Sequence, residues 1–285
     1  MKIYDRQTRA YEETDQYGAG KLEFLYNKPA GRLLLKLAVS PFVSGIYGRI
    51  NSTKGSARKI PGFINEQHID MSDFEDREYT SFNEFFIRRI LPGKRPVDMG
   101  ENVLVSPADS KLLVYRISDD TRMTVKGREY TVSEILGEGP EASWFCDGYA
   151  LVFRLCVGDY HRFCFPDSGR VLQRRRIKGR LHTVSSISKD YSIYRENSRE
   201  VSILMTDHFG RMAFIEVGAL LVGRIVDHDA DVFRKGQEKG YFEPGGSTII
   251  LFVKDIEVDR DIAEQSALGI ETKVRYGERV GVLRC

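Results

Sequence analysis

No stretch of this chain is apolar for long enough to cross a bilayer as a single helix. The longest run, Leu33-Leu34-Leu35-Lys36-Leu37-Ala38-Val39, is broken by Lys36 and closed by Pro41, where a span needs about 20 residues. The four cysteines, Cys146, Cys156, Cys164 and Cys285, form no Cys-x-x-Cys pair and have no histidines at zinc-finger spacing. This excludes a zinc ribbon or a disulfide scaffold and predicts reduced thiols in a cytosolic setting. The start, Met1-Lys2-Ile3-Tyr4-Asp5, carries charges where a signal peptide needs an apolar core, so secretion is not expected. Charge of one sign is also lacking: 43 Lys and Arg against 41 Asp and Glu leave +2, no global field for a polyanion. With no recognised binding module either, nucleic acid is not an expected partner. There is no internal repeat and no low-complexity segment, and 41% hydrophobic residues supply a core and argue against disorder.

What is present changes character along the chain. The first hundred residues read as helical and irregular. The Leu33 run, flanked by Arg32, Phe42, Ile46 and Tyr47, fits either a helix in the headgroup region with snorkelling cations or one packed on the core. Ile64 to Phe74 fits a short helix, and Ser81-Phe82-Asn83-Glu84 before Phe85 and Phe86 has the spacing of a capping box, with Pro92 and Pro96 ending that helix. From Asn102 the period becomes that of strands: Val103–Val105, Leu112–Ile117, Ala150–Val157, Val201–Met205, Met212–Val217, Leu220–Val226, Thr248–Val253 and Ile270–Val274. So many short strands with few helices between them predict an α+β protein. A helical, membrane-associating N-terminal part (1–100) would pack on a largely antiparallel sheet or barrel-like catalytic core (101–285).

Three segments carry chemistry. Glu243-Pro244-Gly245-Gly246-Ser247-Thr248 precedes an apolar strand; paired glycines let the backbone adopt conformations closed to other residues and let a group approach closely. Alone, this reads first as a tight turn entering a strand, a weak signal for chemistry. Ser106-Pro107-Ala108-Asp109 and Asp159-Tyr160-His161-Arg162 each follow a predicted strand end. Hydroxyl, imidazole and carboxylate are the parts of a nucleophile, base and orienter arrangement, which geometry and not sequence order defines.

Taken together, these motifs resemble those of phosphatidylserine decarboxylases over nearly the whole chain. Ser81-Phe82-Asn83-Glu84-Phe85-Phe86-Ile87-Arg88-Arg89 with Arg95-Pro96, Val217-Gly218-Ala219 with Val222-Gly223, and Lys235-Gly236 through Gly240 and Phe242 fall in the same order and spacing. The resemblance implies a proenzyme that cuts itself between Gly246 and Ser247. It leaves a β chain of 1–246 and an α chain of 285 − 246 = 39 residues that stay associated as a heterodimer or a dimer of these. Ser247 becomes a covalent pyruvoyl cofactor, which forms a Schiff base with phosphatidylserine, releases carbon dioxide and yields phosphatidylethanolamine. Asp109, His161 and Ser247 are then the catalytic residues, with His161 as base and later proton donor and Asp109 holding its tautomer. The implied place is the cytoplasmic side of the cell membrane, as a peripheral protein.

One departure stands out. Where many relatives carry a second histidine in a His-Arg-x-His pattern, this chain has Cys164, which leaves His161 to serve twice or brings in an auxiliary. His182 is the leading candidate, and Cys164 is either a thiol acid or base or, more simply, a buried filler. Ser110 replaces the usual glycine after Asp109. Arg170, Arg174, Arg175, Arg176, Lys178 and Arg180 form a basic cluster that suits anionic headgroups or a charged strand edge. His68, His208 and His228 lack metal-ligand spacing, and the Asp227-His228-Asp229-Ala230-Asp231 run, which invites a metal, reads better as an exposed turn after a strand, so no metal is expected. Trp144 reads as a core or interface aromatic. The rival readings are a serine hydrolase with intact Ser247, which would lack the Gly-x-Ser-x-Gly elbow, and a non-catalytic membrane-binding β module.

Overall fold

The computed structural model describes residues 2–13, 19–125, 128–137, 139–183, 192–220, 224–245 and 247–284. Gly246, the residue before the expected cut, and Val222-Gly223 of one motif lie outside them.

A ten-stranded sheet dominates. Its strands are β1 (Lys2–Asp5), β2 (Ala10–Glu13), β3 (Ser110–Arg116), β4 (Tyr149–Leu155), β5 (Gly169–Ile177), β6 (Arg199–Thr206), β7 (Gly210–Gly218), β8 (Val232–Phe233), β9 (Ser247–Val253) and β10 (Glu271–Val274). Their spatial order is β8-β5-β6-β7-β9-β4-β3-β10-β1-β2. Every pair is antiparallel except β1 with β10. The sheet stays open, with edges at β8 and β2, so the expected α+β class holds and the barrel-like alternative does not.

Alternation in β9 shows how the core is built. Ile249, Leu251 and Val253 enter one apolar cluster with Phe153, Phe163, Phe214 and Phe242, while Ile250 and Phe252 enter another with Ile135, Phe145 and Ile215 on the opposite face. Each such side chain, fully buried, contributes about 1.5–3 kcal/mol. The first cluster is roofed by a smaller sheet of Arg162–Cys164, Glu238–Phe242 and Ile225–Asp227. Lys239 reaches from that roof to Glu216 and Asp227, making a buried ionic tie between layers.

The N-terminal hundred residues are not wholly helical, since β1 and β2 extend the main sheet. Then follow α1 (Ala19–Asn27), α2 (Pro29–Ala38), α3 (Pro41–Asn51), α4 (Ile60–Glu66) and α5 (Phe82–Phe86). Prolines at the starts of α2, α3 and α4 sit where no backbone N–H is needed. Ser81 caps α5 by accepting from Glu84 N, but Glu84 turns to Thr80, so the expected box is half made. The Ile64 to Phe74 segment splits into the end of α4 and a 3₁₀ turn at Met71–Asp73.

The basic cluster lies mostly on β5, a strand not expected from the sequence. Arg175 pairs with Glu141, Arg176 with Glu200 and Arg174 with Asp231. Beyond its first residues, where β8 pairs with it, β5 presents this charge along one side, which discourages strand addition. In the acidic run, Asp227 goes to Lys239 and His228 to Glu238. Trp144 packs on the core beneath Arg211.

Candidate active site

Ser247 opens β9, between Gly218 of β7 and Leu155 of β4. Its hydroxyl is completely buried and has no hydrogen-bond partner among the described residues. An unsatisfied buried hydroxyl costs roughly 1–3 kcal/mol, and native proteins keep few of them. Just upstream, Gly245 has φ +141°, a conformation that favours glycine.

His161 stands at the other end of the same connection. Its carbonyl accepts from Phe242 N at 3.0 Å, and the chain then runs through Glu243, Pro244 and Gly245 toward Ser247. The imidazole is fully buried, with its ring 4.1 Å from that of Phe86. Its Nδ1 lies 2.9 Å from the Asp159 carbonyl. A carbonyl only accepts, so Nδ1 holds the proton and Nε2 keeps a lone pair. Nε2 is buried and has no hydrogen-bond partner among the described residues. The backbone of His161 and the hydroxyl-bearing Ser247 thus stand at the two ends of one short connection, and each carries a buried polar atom without a partner among the described residues.

Burial holds the His161 pKa down at about 4, against the lesser opposing pull of Asp159. The ring is therefore neutral at physiological pH and able to accept a proton. The folded state resists a proton that the unfolded chain takes up below the ordinary 6.5. The resulting stability is complete above that pH and is lost as pH falls toward about 4. The slope reaches about 1.4 kcal/mol per pH unit. Urea unfolding of wild type and His161→Phe at several pH values tests this. The stability difference should move in the variant's favour as pH drops through this window, and a constant difference would contradict it.

The loop bearing His161 is braced from both sides. Arg88 lies over the rings of Phe74 and Phe85 and donates to Gly158 O at 3.1 Å. Burial lowers its pKa to about 10. The Asp159 carboxylate takes Lys111 Nζ at 2.6 and 2.7 Å and Cys156 N at 2.7 Å. From α5, Asn83 lies against Glu243 in the loop before Ser247. The Ser81–Arg89 motif therefore packs against the site, placing Phe86 on His161 and Asn83 on the connection.

Asp109 is placed differently from expectation. Its carboxylate is gripped by Arg95, at 3.0 Å through Nε and 2.7 Å through Nη2, and accepts from Tyr276 N at 2.8 Å. The tautomer of His161 is fixed by the Asp159 carbonyl, not by Asp109, which ties Arg95 to the turn around Tyr276.

Cys164 is wholly buried, its Sγ 3.9 Å from Ser106 O, and burial pushes its pKa up to about 12. Such a thiol stays protonated at neutral pH, which favours filler over base. His182 is nearly buried, with Nδ1 3.3 Å from Tyr26 Oη and Nε2 3.9 Å from Glu196. Asn197 Nδ2 donates at 2.8 Å to both His182 O and Gly218 O, and Gly218 is the residue opposite Ser247. His182 thus lies one relay from the junction. Asn197, Tyr26 and Lys111 belong to none of the motifs singled out in the sequence; Asp159 belonged to one but carried no role of its own.

Comparison with known proteins agrees with the motifs. Residues 82–282 match the family model described as phosphatidylserine decarboxylase. The chain is 51% identical over 285 residues to phosphatidylserine decarboxylase proenzyme 2 of Clostridium acetobutylicum, covering 99% of this chain and 98% of that one. It is 40% identical over 291 residues to the phosphatidylserine decarboxylase proenzyme of Clostridium botulinum, covering 99% and 98%. The same identity and length relate it to the proenzyme of Fusobacterium nucleatum, at 99% and 97% coverage.

Proposed function

Because the chain belongs to the phosphatidylserine decarboxylase family, we propose that it is a phosphatidylserine decarboxylase proenzyme that matures by attack of Ser247 on its own backbone. The observation that carries this reading is the buried, unpartnered Ser247 hydroxyl. The carbonyl of residue 246 is one five-membered ring away along the chain, and Ser247 leads into a strand without the Gly-x-Ser-x-Gly elbow that would present it to an external ester, which counts against a serine hydrolase.

In the proposed sequence His161 Nε2 takes the hydroxyl proton as Oγ adds to that carbonyl, and collapse transfers the acyl group from nitrogen to oxygen. A base then removes the Ser247 α-proton, the ester carboxylate leaves as the new C-terminus of 1–246, and residue 247 becomes dehydroalanine. Its enamine tautomerises to an imine, which water hydrolyses with loss of ammonia, leaving a ketone. The serine that begins a central strand suits that origin, because β4 and β7 hold the new end in place. The pyruvoyl group supplies a carbonyl that takes up the substrate amine and draws off the electrons released as carbon dioxide departs. His161 in its neutral form, held by the Asp159 carbonyl and Phe86, receives and returns the proton.

Mass measurement on denatured protein tests the proposal. It should find a 39-residue C-terminal fragment with a blocked, ketone-bearing end. A single intact chain with decarboxylase activity would overturn it.

The partner is proposed to be a membrane surface holding phosphatidylserine, met at the cytoplasmic side. Support comes from α2 and α3, which meet at 73° and expose Leu33, Leu34, Leu37, Phe42, Ile46 and Ile50. Gly31 and Leu35 face inward, and Arg32, Lys36 and Arg49 flank the apolar face. No single helix among the described residues is long and apolar enough to cross a membrane; this geometry suits helices lying in the headgroup region. Replacing Leu34, Leu37 and Phe42 together by glutamate should cut binding to vesicles containing phosphatidylserine by at least about tenfold, read by co-sedimentation, while self-cleavage continues. Unchanged binding would move the contact elsewhere.

A further inference from the structure

Lys111 is an expensive residue to keep at its position. It lies in β3 with 9% exposure, opposite Arg154 of β4, which is opposite Thr248 of β9. The three form one row across adjacent strands and end beside the junction. A lysine here must be desolvated, and a buried pair of this kind is often no more stable than apolar residues of similar volume. What the pair gains is a fixed position for its partner.

That partner is Asp159. Arg154, the neighbouring cation, is committed to Glu271 through both Nε and Nη2, so Lys111 is what holds the Asp159 carboxylate, at 2.6 and 2.7 Å. The same carboxylate takes Cys156 N at 2.7 Å, closing the turn from Cys156 to His161. The carbonyl of Asp159 then receives Nδ1–H of His161 at 2.9 Å.

We propose that Lys111 is a positioning residue for His161, acting through Asp159 to fix the turn whose carbonyl sets the imidazole's tautomer and aim. This rests on His161 being the base of self-cleavage. The charged groups that act on His161 are Asp159, Arg88 and Lys111. Asp159 favours the protonated ring, and Arg88 and Lys111 oppose it. Removing Lys111 takes away a cation and leaves Asp159 unneutralised, so the acid limb of the cleavage rate should move to higher pH. Asp159→Asn should move it to lower pH.

The test follows cleavage of freshly refolded full-length precursor by mass, across pH, with melting temperature measured on each variant. Lys111→Met should cut about 10- to 100-fold more slowly, the scale of a small misplacement of a reacting group, with its acid limb shifted upward. Lys111→Arg should cut within about threefold of wild type, because it keeps a cation within reach of Asp159. The double variant Lys111→Met/Asp159→Asn leaves no buried charge unpaired. It should therefore fold even if Lys111→Met does not, yet still cut slowly for want of the tether. Wild-type cutting in the double variant, or an unshifted and undiminished rate in Lys111→Met, would reduce the pair to charge neutralisation and overturn the proposal. His161→Ala in the same assay separates the two levels: normal cutting there sinks the role of His161 itself, whatever Lys111 does.

Discussion

Ser247→Ala gives a chain that stays whole, carries no ketone and releases no carbon dioxide from phosphatidylserine, while folding at least as well as wild type. The last clause makes the result interpretable. The hydroxyl is buried and has no hydrogen-bond partner among the described residues, so deleting it removes an unsatisfied polar atom, and stability should be unchanged or higher by about 1 kcal/mol. Lost cleavage therefore cannot be ascribed to a lost fold. Alanine also keeps the Cβ, so the start of β9 and its pairing with Gly218 and Leu155 have no reason to shift. Intact mass, carbonyl labelling and a thermal melt on one preparation decide it. Cleavage that persists would locate the cut at another bond, and a markedly lower melting temperature would show that the hydroxyl has a structural partner.

The proposed nucleophile and base stand out in the sequence because their residue types and flanking glycines or strand ends form motifs. Asp109 was legible as a residue and misread in its contact. The group that fixes His161 is a backbone carbonyl, and a carbonyl leaves no trace in residue type, whereas Asp109 looks like an orienter wherever it points. Strands such as β4 and β9 could be read from branched and aromatic runs. By contrast, β5 has Arg174, Arg175 and Arg176 in succession after Val171 and Leu172, which leaves no apolar-polar alternation, so the segment reads as a charge cluster. Again, β1 could not be found from local pattern, because its pairing partner Glu271–Val274 comes from the far end of the chain. Lys111 escaped notice for a related reason: its meaning lies in Asp159, 48 residues away, and no spacing rule joins them.

His161→Ala should slow self-cleavage by roughly 10²- to 10⁴-fold, the usual worth of a positioned general base, whereas His182→Ala and Cys164→Ser should each cut within a few fold of wild type. The contrast follows from what each side chain can do with a proton. Burial keeps His161 neutral down to about pH 4, its Nε2 has no hydrogen-bond partner among the described residues, and its backbone carbonyl holds Phe242 at the start of the connection to Ser247. Cys164 is held protonated, with its pKa pushed up to about 12, so at neutral pH it offers no thiolate. His182 engages Tyr26 and connects toward the junction through Asn197 and Gly218, an arrangement that steadies the strand opposite Ser247. If one histidine serves both maturation and decarboxylation, a chain already cut before His161 is lost should still fail to release carbon dioxide. Joining 1–246 bearing His161→Ala with a separately made pyruvoyl-ended α chain separates the two steps. Activity in that reassembled pair would confine His161 to maturation and bring His182 forward as the proton donor.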